Sequence, residues 1–195
     1  MANETTINTT SAVNREEQAV ILDYLEHGYP MEYGAMKTPI AQALGLKNLS
    51  LLELVPKKGI FLQPLEEVYI GEAKRDEIHH IKGRISIDRL TTTARNELPH
   101  ALRKSIEKNE APFIAFFNKA QPLTLRMHQL ELLPGLGQKH RLEILKARQE
   151  KPFASFDDIK ERVKLLPDPK QLVVNRILDE MEGKKDKHKI FLGRV

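Results

Sequence analysis

The stretch Leu130-Glu131-Leu132-Leu133-Pro134-Gly135-Leu136-Gly137-Gln138-Lys139 decides the fold of the C-terminal half of the chain. Apolar residues at helical spacing precede Pro134, and a second amphipathic run begins directly after Gly137. Proline cannot continue a helix, and Gly135 can adopt the positive φ that a sharp reversal requires. The stretch therefore predicts two helices joined by a tight turn.

The start of the second predicted helix has the properties of an anion site. The first backbone N–H groups of a helix have no acceptor within it, and such groups attract phosphate. Gly137 lacks a Cβ, so a ligand can approach the backbone closely, and the ammonium group of Lys139 can add a charge. The alternative is a helical hairpin whose glycines only allow two helices to pack closely.

This pattern resembles the helix-hairpin-helix motif, which grips the sugar-phosphate backbone of nucleic acids without reading bases. The residues that carry the resemblance are Leu132, Leu133, Pro134, Gly135, Leu136, Gly137, Lys139, Ile144 and Arg148. It implies a set of nucleic-acid-binding candidates, which are Pro134, Gly135, Leu136, Gly137, Gln138, Lys139 and Arg141.

A second copy of the stretch lies 33 residues downstream in the sequence. The matched segments are Leu132-Leu133-Pro134 with Leu165-Leu166-Pro167, Gln138 with Gln171, and Ile144-Leu145 with Ile177-Leu178. Gly135 and Gly137, however, fall on Asp168 and Lys170, and a carboxylate repels phosphate. The second copy resembles the degenerate partner of a tandem helix-hairpin-helix domain, and we expect it to be structural, with Lys170 at most an auxiliary contact.

Composition limits the function classes. The 195 residues include no cysteine, which excludes disulfides and thiolate metal sites, and no run of 18 apolar residues occurs. The formal net charge is +4, but residues 121–195 hold 16 Lys+Arg against 11 Asp+Glu, while the first 120 residues are slightly acidic. A basic half suggests a polyanionic partner, although an ordinary solvated surface has a similar excess. We expect a cytoplasmic protein that binds no membrane and needs no cofactor or metal.

Short apolar segments separated by Gly and Pro turns predict strands in the N-terminal half. The predicted strands are Ala19 to Leu25, Ile60 to Leu62, Glu67 to Gly71 and Ile78 to Ile87, the last with strict alternation. Pro39 to Leu46 suggests a short helix, and Leu49 to Val55 fits either type. Together they predict a small barrel or curled sheet over residues 17–90, after a tail from Met1 to Glu16.

From Asp88 onward the pattern becomes helical. Thr91 and Thr92 are expected to cap a helix ending near Leu98, and Pro99 to open the next one. Pro112 introduces an apolar cluster containing Phe113, Ile114, Phe116 and Phe117, which we interpret as core. Thr124 is expected to cap a helix from Leu125 to Leu133, and Ser155 with Asp158 forms a capping box. The apolar end Ile190-Phe191-Leu192, after a basic run from Gly183 to Lys189, is expected to dock onto a domain.

The strand before Ile87 offers two further candidate sites. Lys82 and Arg84 share one face with His80 and are candidate phosphate contacts, although the same residues suit a solvated face. His79 and His80 suggest a metal site, but neighbours on a strand point to opposite faces, so we reject it.

Most of the chain also resembles an archaeal family, domain of unknown function 655, considered to bind nucleic acid. The stretches that carry this are residues 22–30, 68–71, 75–81, 118–122 and the hairpin. The resemblance implies an α+β fold with a small antiparallel OB-like β-barrel (17–90), a helical connector (91–123) and an all-α tandem helix-hairpin-helix domain (124–195). It also implies a role around RNA, with ribosome or RNA polymerase components as partners.

Three function classes follow from these features. The leading one is a non-enzymatic protein that binds the RNA or DNA backbone, with RNA favoured by the family context alone. The second is a protein-interaction adaptor with structural hairpins. The third is an enzyme, a nuclease or DNA repair protein, for which we find no catalytic residue: Asp157 and Asp158 are explained as residues that open a helix.

Overall fold

A computed structural model describes residues 15–29, 38–183 and 188–192. The chain divides into two compact units, residues 1–98 with 192–195, and residues 99–191. The fold is α+β: a curled antiparallel sheet of five strands, followed by five helices in the described part of the chain.

The first unit is built on that sheet. Its strands are β1 (Gln18–Leu25), β2 (Ile40–Gly45), β3 (Leu51–Pro56), β4 (Glu67–Tyr69) and β5 (Ile78–Arg84), in the order β4-β1-β2-β3-β5. Register shifts occur between Ile21 and Asp23 and at two places along β3. Such bulges bend strands and increase twist, which accounts for the curl. The inner face holds a core of Ala19, Ile21, Ala41, Ala43, Leu52, Leu54, Leu62, Val68, Ile70 and Ile78.

Several strand predictions are confirmed and others are wrong. β1 and β4 lie where the sequence placed them, whereas β5 ends at Arg84 and Ile87 begins a 3₁₀ turn. The helix predicted from Pro39 is wrong, because β2 is buried on both faces and therefore lacks the alternation that marks a half-buried strand. The strand predicted at Ile60 is an irregular loop.

Glu16 fixes the turn between β2 and β3. Its buried carboxylate accepts hydrogen bonds from the backbone N–H groups of Lys47 (2.8 Å), Asn48 (3.0 Å) and Ser50 (3.2 Å). The expected N-terminal tail therefore has an ordered end at Glu16, and its residues 1–14 lie outside the described part of the chain.

The second unit is built from helices. They are the C-terminal part of α1 (Thr92–Lys108), α2 (Ala111–Lys119), α3 (Gln138–Glu150), α4 (Phe156–Arg162) and α5 (Pro169–Met181). Phe113, Ile114 and Phe117 of α2 are buried, which confirms their interpretation as core.

Pro99 lies inside α1 and does not begin a new helix. The prediction of two helices was wrong because one apolar stripe continues through the proline: Ala94, Leu98, Ala101, Leu102 and Ile106 are all buried. Thr91 caps the N-terminus as predicted, since its hydroxyl accepts the N–H of Ala94 at 3.0 Å. Packing of the stripe outweighs the single backbone hydrogen bond that a proline removes.

The helix predicted from Leu125 to Leu133 is also wrong. Thr124 Oγ1 accepts the N–H groups of Arg126 (3.2 Å) and Met127 (3.0 Å), so its side chain closes a local turn instead of capping a helix. The region ends in a 3₁₀ turn, Gln129–Leu132. The Ser155 cap is confirmed, with its hydroxyl 3.1 Å from the N–H of Asp158.

The prediction that Ile190 and Phe191 dock onto a domain is confirmed. Glu180 accepts both of their N–H groups, at 2.8 and 3.0 Å, and the Phe191 ring packs against Phe113 and Phe116. Residues 184–187 of the predicted basic run lie outside the described part of the chain.

Glu16→Ala tests the turn between β2 and β3. We expect the free energy of unfolding to fall by about 2 kcal/mol, because three turn N–H groups lose their acceptor. Urea denaturation measures the change. Glu17→Ala, which removes an exposed neighbouring carboxylate, is the matched control with an expected change below about 0.5 kcal/mol. Equal losses in the two variants would contradict the assignment.

Candidate nucleic-acid interface

The hairpin between the 3₁₀ turn and α3 is held by short-range hydrogen bonds and buried leucines. The N–H of Leu136 donates to the carbonyl of Leu133 at 3.0 Å, and both side chains are buried. Gly135 has φ = +88°, so the reversal requires a residue that tolerates positive φ, as the sequence predicted. Pro134 is half-buried in the turn.

Gly137 is the N-cap residue of α3 and has a different character from Gly135. Its φ of −93° and ψ of 178° are open to any residue, and a Cβ placed on it would meet no atom within 4 Å. Glycine offers no side chain that could cap the helix. The N–H groups of the first turn, which begins at Gln138, therefore receive no hydrogen bond from an N-cap side chain.

Lys139 is exposed in the first turn of α3, which contains no acidic residue. Its ammonium group can reach an anion bound at the helix start. Arg141, two residues further along α3, is only about one-fifth exposed, and its Nη1 lies 3.0 Å from Glu131 Oε2. This ion pair joins α3 to the 3₁₀ turn, so the guanidinium of Arg141 stabilises the hairpin.

The helix that follows the second hairpin has a different N-cap residue. Asp168 is the N-cap of α5, and its Oδ1 accepts the N–H of Lys170 at 3.2 Å while its Oδ2 lies 2.9 Å from Arg103 Nη1. Lys170 in turn lies between Glu107 (3.5 Å) and Glu110 (3.4 Å). Burial lowers the pKa of Lys170, but the two carboxylates outweigh it and raise the pKa above its ordinary value. The anion at this helix start is the protein's own carboxylate.

Half of the six arginines of the second unit, namely Arg148, Arg162 and Arg176, donate to backbone carbonyl groups. Arg148 donates to the carbonyls of Phe117 (3.0 Å) and Ala120 (2.9 Å), at the end of α2. Arg162 donates to the carbonyls of Ala147 and Lys151, at the end of α3. Cations there satisfy carbonyls that lack helical partners. The basic excess of this half therefore overstates the positive charge available to a ligand.

Lys82 and Arg84 belong to the first unit, on β5. Lys82 Nζ lies 3.3 Å from the buried carboxylate of Glu53, which also accepts the hydroxyl of Tyr29 at 2.5 Å. Burial raises the pKa of Tyr29, and the hydrogen bond to Glu53 raises it further. Arg84 is exposed. Contact of Lys82 and Arg84 with phosphate stays a prediction.

The two histidines at the start of β5 do not point apart. His79 Nδ1 and His80 Nδ1 are 2.7 Å from each other, so the alternation argument against their convergence was wrong. The irregular register of β5 against β3 near Val55 breaks strict alternation there. Within the described residues, no group of three or more His, Asp or Glu side chains could hold a metal ion.

Within residues 15–29, 38–183 and 188–192, no helix is both long and apolar enough to span a membrane.

Comparison with known proteins assigns the chain to a family. Residues 15–193 match the family model described as protein of unknown function (DUF655). The uncharacterized protein MJ0038 of Methanocaldococcus jannaschii is 38% identical over 178 residues, which cover 91% of this chain and 80% of that protein. The chain belongs to DUF655. The crystal structure of the DUF655 protein Af1531 from Archaeoglobus fulgidus has a TM-score of 0.84 at 38% identity, covering 91% of this chain and 100% of that one.

Sequence reasoning missed His128, the residue that begins the hairpin in this DUF655 protein. His128 Nδ1 accepts the N–H of Leu130 at 3.1 Å, and Glu131 Oε2 accepts the N–H of His128 at 2.9 Å. This is a capping box with histidine in place of Ser or Thr. The three-residue spacing to Glu131 was the available signal, but histidine is not a usual cap.

The His128 cap makes the stability of the DUF655 fold depend on pH. Burial, followed by the nearby guanidinium groups of Arg148 and Arg141, lowers the pKa of His128 below 6.5. The folded state therefore binds fewer protons than the unfolded state just below pH 6.5. We expect the full contribution above that pH and a progressive loss as the pH falls below it. Protonated Nδ1 can no longer accept the N–H of Leu130.

Urea denaturation at pH 7.5 and 5.5 measures this loss. His128→Ser keeps a cap acceptor that does not titrate, so its free energy of unfolding should fall less between the two pH values than that of the parent. His100→Gln, at an exposed position of α1, should keep the parental dependence. An unchanged dependence in His128→Ser would contradict the role of the histidine cap.

Proposed function

We propose that this DUF655 protein is a non-enzymatic nucleic-acid-binding protein that grips backbone phosphate through the hairpin from Leu133 to Lys139. The observation that carries the proposal is the contrast between the N-cap residues of two helices, Gly137 of α3 and Asp168 of α5. At α5 the protein supplies its own anion, Asp168, whereas at α3 it places Gly137, which gives the helix no side-chain cap and has open space where a Cβ would lie.

Gly137 supports a ligand more strongly than Gly135 does. Gly135 is explained by its positive φ, but Gly137 has an ordinary φ and no crowding, so neither backbone nor packing requires a glycine there. The side chains favoured at an N-cap would stabilise α3, since they accept first-turn N–H groups. Close approach of a phosphate, which needs those same N–H groups, gives a reason for their absence.

The burial of corresponding residues in the two copies supports a tandem helix-hairpin-helix domain. Residues 33 apart are buried in both copies, namely Leu130 and Val163, Leu133 and Leu166, and Ile144 and Ile177. The first copy opens with the 3₁₀ turn Gln129–Leu132 and the second with α4. The proposal therefore assigns phosphate binding to the first hairpin and a packing role to the second.

The finer parts of the proposal come from the family resemblance. It favours RNA over DNA and partners among ribosome or transcription components, and it assigns an OB-like character to the first unit. The curled, partly open sheet of five strands supports that character. Contact with the phosphate backbone predicts an affinity that depends only weakly on base sequence. It also predicts that affinity falls steeply as the salt concentration rises, because each neutralised phosphate releases about 0.7 to 0.9 counterion.

Gly137→Asp tests the proposal because the substitution should increase the stability of the fold and decrease its affinity for nucleic acid. A carboxylate at the N-cap should raise the free energy of unfolding by about 0.5 kcal/mol or more, through capping and the helix dipole. It should also abolish binding at the hairpin, since it occupies the phosphate position as Asp168 does in the second copy. Fluorescence anisotropy with labelled 20-nucleotide RNAs and DNAs of unrelated sequence measures affinity, and a thermal melt measures stability.

Two matched variants complete this experiment. Gly137→Asn caps without charge and should weaken binding less than the aspartate does. Asp168→Asn changes the charge at the second hairpin and should leave affinity within about twofold of the parent, as for a site remote from the ligand. Equal effects of Gly137→Asp and Asp168→Asn would mean that the two hairpins have been assigned wrongly.

Lys139→Ala tests whether the ammonium group of Lys139 contacts phosphate. The salt slope of binding should shrink by about one unit, as expected for one lost phosphate contact. Stability should stay level or rise by about 0.3 kcal/mol, because a cation near a helix N-terminus opposes the dipole. Lys146→Ala removes an exposed lysine later in α3 and should keep the parental slope. Unchanged affinity of Lys139→Ala on RNA and DNA would favour the adaptor instead.

The adaptor is the second candidate, and the arginines that bind carbonyl groups favour it, since they reduce the charge offered to a polyanion. Binding of the parent to bare oligonucleotide separates the two candidates. Cleavage of those oligonucleotides in Mg²⁺ would instead indicate a nuclease.

A further inference from the structure

A short loop from Leu123 to Met127, which we call the apolar loop, precedes the first hairpin. An antiparallel bridge between Pro122 and His128 closes its base. The N–H of Leu123 donates to the carbonyl of Met127 at 2.8 Å. Because His128 is also the N-cap of the 3₁₀ turn Gln129–Leu132, the loop joins directly to the element that leads into the hairpin.

Hydrogen bonds within the apolar loop fix its backbone. The hydroxyl oxygen of Thr124 accepts the N–H groups of Arg126 at 3.2 Å and Met127 at 3.0 Å. The carbonyl of Met127 also accepts the N–H of Thr124 at 3.1 Å. None of these bonds involves Leu125, whose side chain is fully exposed in the middle of the loop. The fold therefore holds an apolar side chain out in solvent instead of burying it.

Leucine is an unusual residue for this position. Turns at the surface are mostly built from Gly, Pro, Asn, Asp and Ser, each of which favours the turn backbone. Single exposed leucines are common on proteins, but Leu125 lies beside the exposed side chains of Arg126 and Met127. The apolar loop contains no acidic residue. Apolar side chains beside an unopposed loop cation suit a ligand that combines apolar surface with negative charge.

The second copy has a helix, α4, where the first copy has the apolar loop. At the spacing of 33 residues, Leu125 falls on Asp158 in the first turn of α4. The carboxylate of Asp158 accepts the N–H of Ala154 at 2.9 Å and lies 3.2 Å from Nη1 of Arg162, so it stabilises that helix. The first copy exposes a leucine instead. This departure occurs in the copy that carries Gly137, to which the proposed phosphate contact is assigned.

Nucleic acid offers both kinds of surface, since its bases are apolar on their faces and its backbone is charged. Proteins that hold the backbone can insert Leu, Met or Phe between neighbouring bases, which partly unstacks them. The guanidinium group of Arg126 can bind a phosphate beside the point of insertion. A protein partner suits the loop less well, because leucine is under-represented among the residues that dominate protein interfaces.

We propose that Leu125 enters the base stack of a nucleic acid whose backbone is held at the first hairpin. Insertion requires neighbouring bases to separate, and separation costs least where a base is already unpaired. The preferred target is therefore a duplex whose stack is interrupted by an unpaired base. The inference rests on the proposed function, and it adds a target class that backbone contact alone does not select.

Two twenty-base-pair RNA duplexes of one sequence test the inference, one fully paired and one with a single extra adenosine at its centre. Fluorescence anisotropy should show that the parent binds the interrupted duplex about tenfold more tightly, because most of the unstacking cost is absent there. Leu125→Ala should bind both duplexes with about the parental affinity for the paired one. Leu125→Met keeps a long apolar side chain and should retain most of the preference. Leu165→Ala removes an exposed leucine of the second copy and should behave like the parent.

A 2-aminopurine base next to the extra adenosine reports unstacking directly. Its fluorescence should rise when the parent binds and should stay level with Leu125→Ala. A thermal melt checks that each variant is folded.

Several outcomes would overturn the inference. They include equal affinity of the parent for the two duplexes, a preference that Leu125→Ala retains, and a preference that Leu165→Ala loses as fully as Leu125→Ala does. In each of these cases the proposed function would still stand if Gly137→Asp abolished binding to both duplexes. Binding of the parent to neither duplex nor to single strands would refute the inference and the proposed function together. The exposed leucine would then be left for contact with a protein.

Discussion

The hairpin depends on a buried ion pair contributed by the second repeat. Arg176 is 1% exposed, and its Nε lies 2.9 Å from Oε1 of Glu180. Its Nη1 donates to the carbonyl of Leu132 at 3.3 Å, and Nη2 donates to the carbonyl of His188. A buried pair of this kind stabilises a structure only when its hydrogen bonds are satisfied, and removing one partner costs about 3 to 5 kcal/mol. Here those bonds join α5, the C-terminal segment and the residue that immediately precedes the hairpin.

This arrangement gives the second repeat a structural role in holding the first repeat in place. The first repeat begins with a single 3₁₀ turn, which is too short to be stable alone. Three groups hold that turn in place: the His128 cap, the Glu131–Arg141 pair and the Arg176 guanidinium. The proposed phosphate contact needs N–H groups that are fixed in direction, and under that proposal the second repeat contributes rigidity to the first.

The sequence predicted the features that depend on local pattern. The alternation of β5 from His80 to Arg84 and the reversal at Gly135 could both be inferred from single residues and their spacing. Strand β2 was missed because a strand that is buried on both faces shows no alternation of apolar and polar residues. The turn after Thr124 was missed because a hydroxyl group that accepts nearby N–H groups competes with helix formation. The engagement of Arg141 and Arg148 could not be predicted, since their partners are brought close only by tertiary packing.

The positions of the glycines link the proposed phosphate site to the fold. Of the glycines that the structure describes, those other than Gly83 and Gly137 have either a positive φ or a side chain where a Cβ would lie. Gly45, for example, leaves space for the carboxylate of Glu16. Gly83 and Gly137 have neither constraint, and a larger residue would suit a strand in one case and a helix N-cap in the other. Both glycines therefore lower local stability without benefit to packing. Gly137 directly precedes the first-turn N–H groups of α3, and the proposed close approach of a phosphate to those groups gives a physical reason for the missing side chain there.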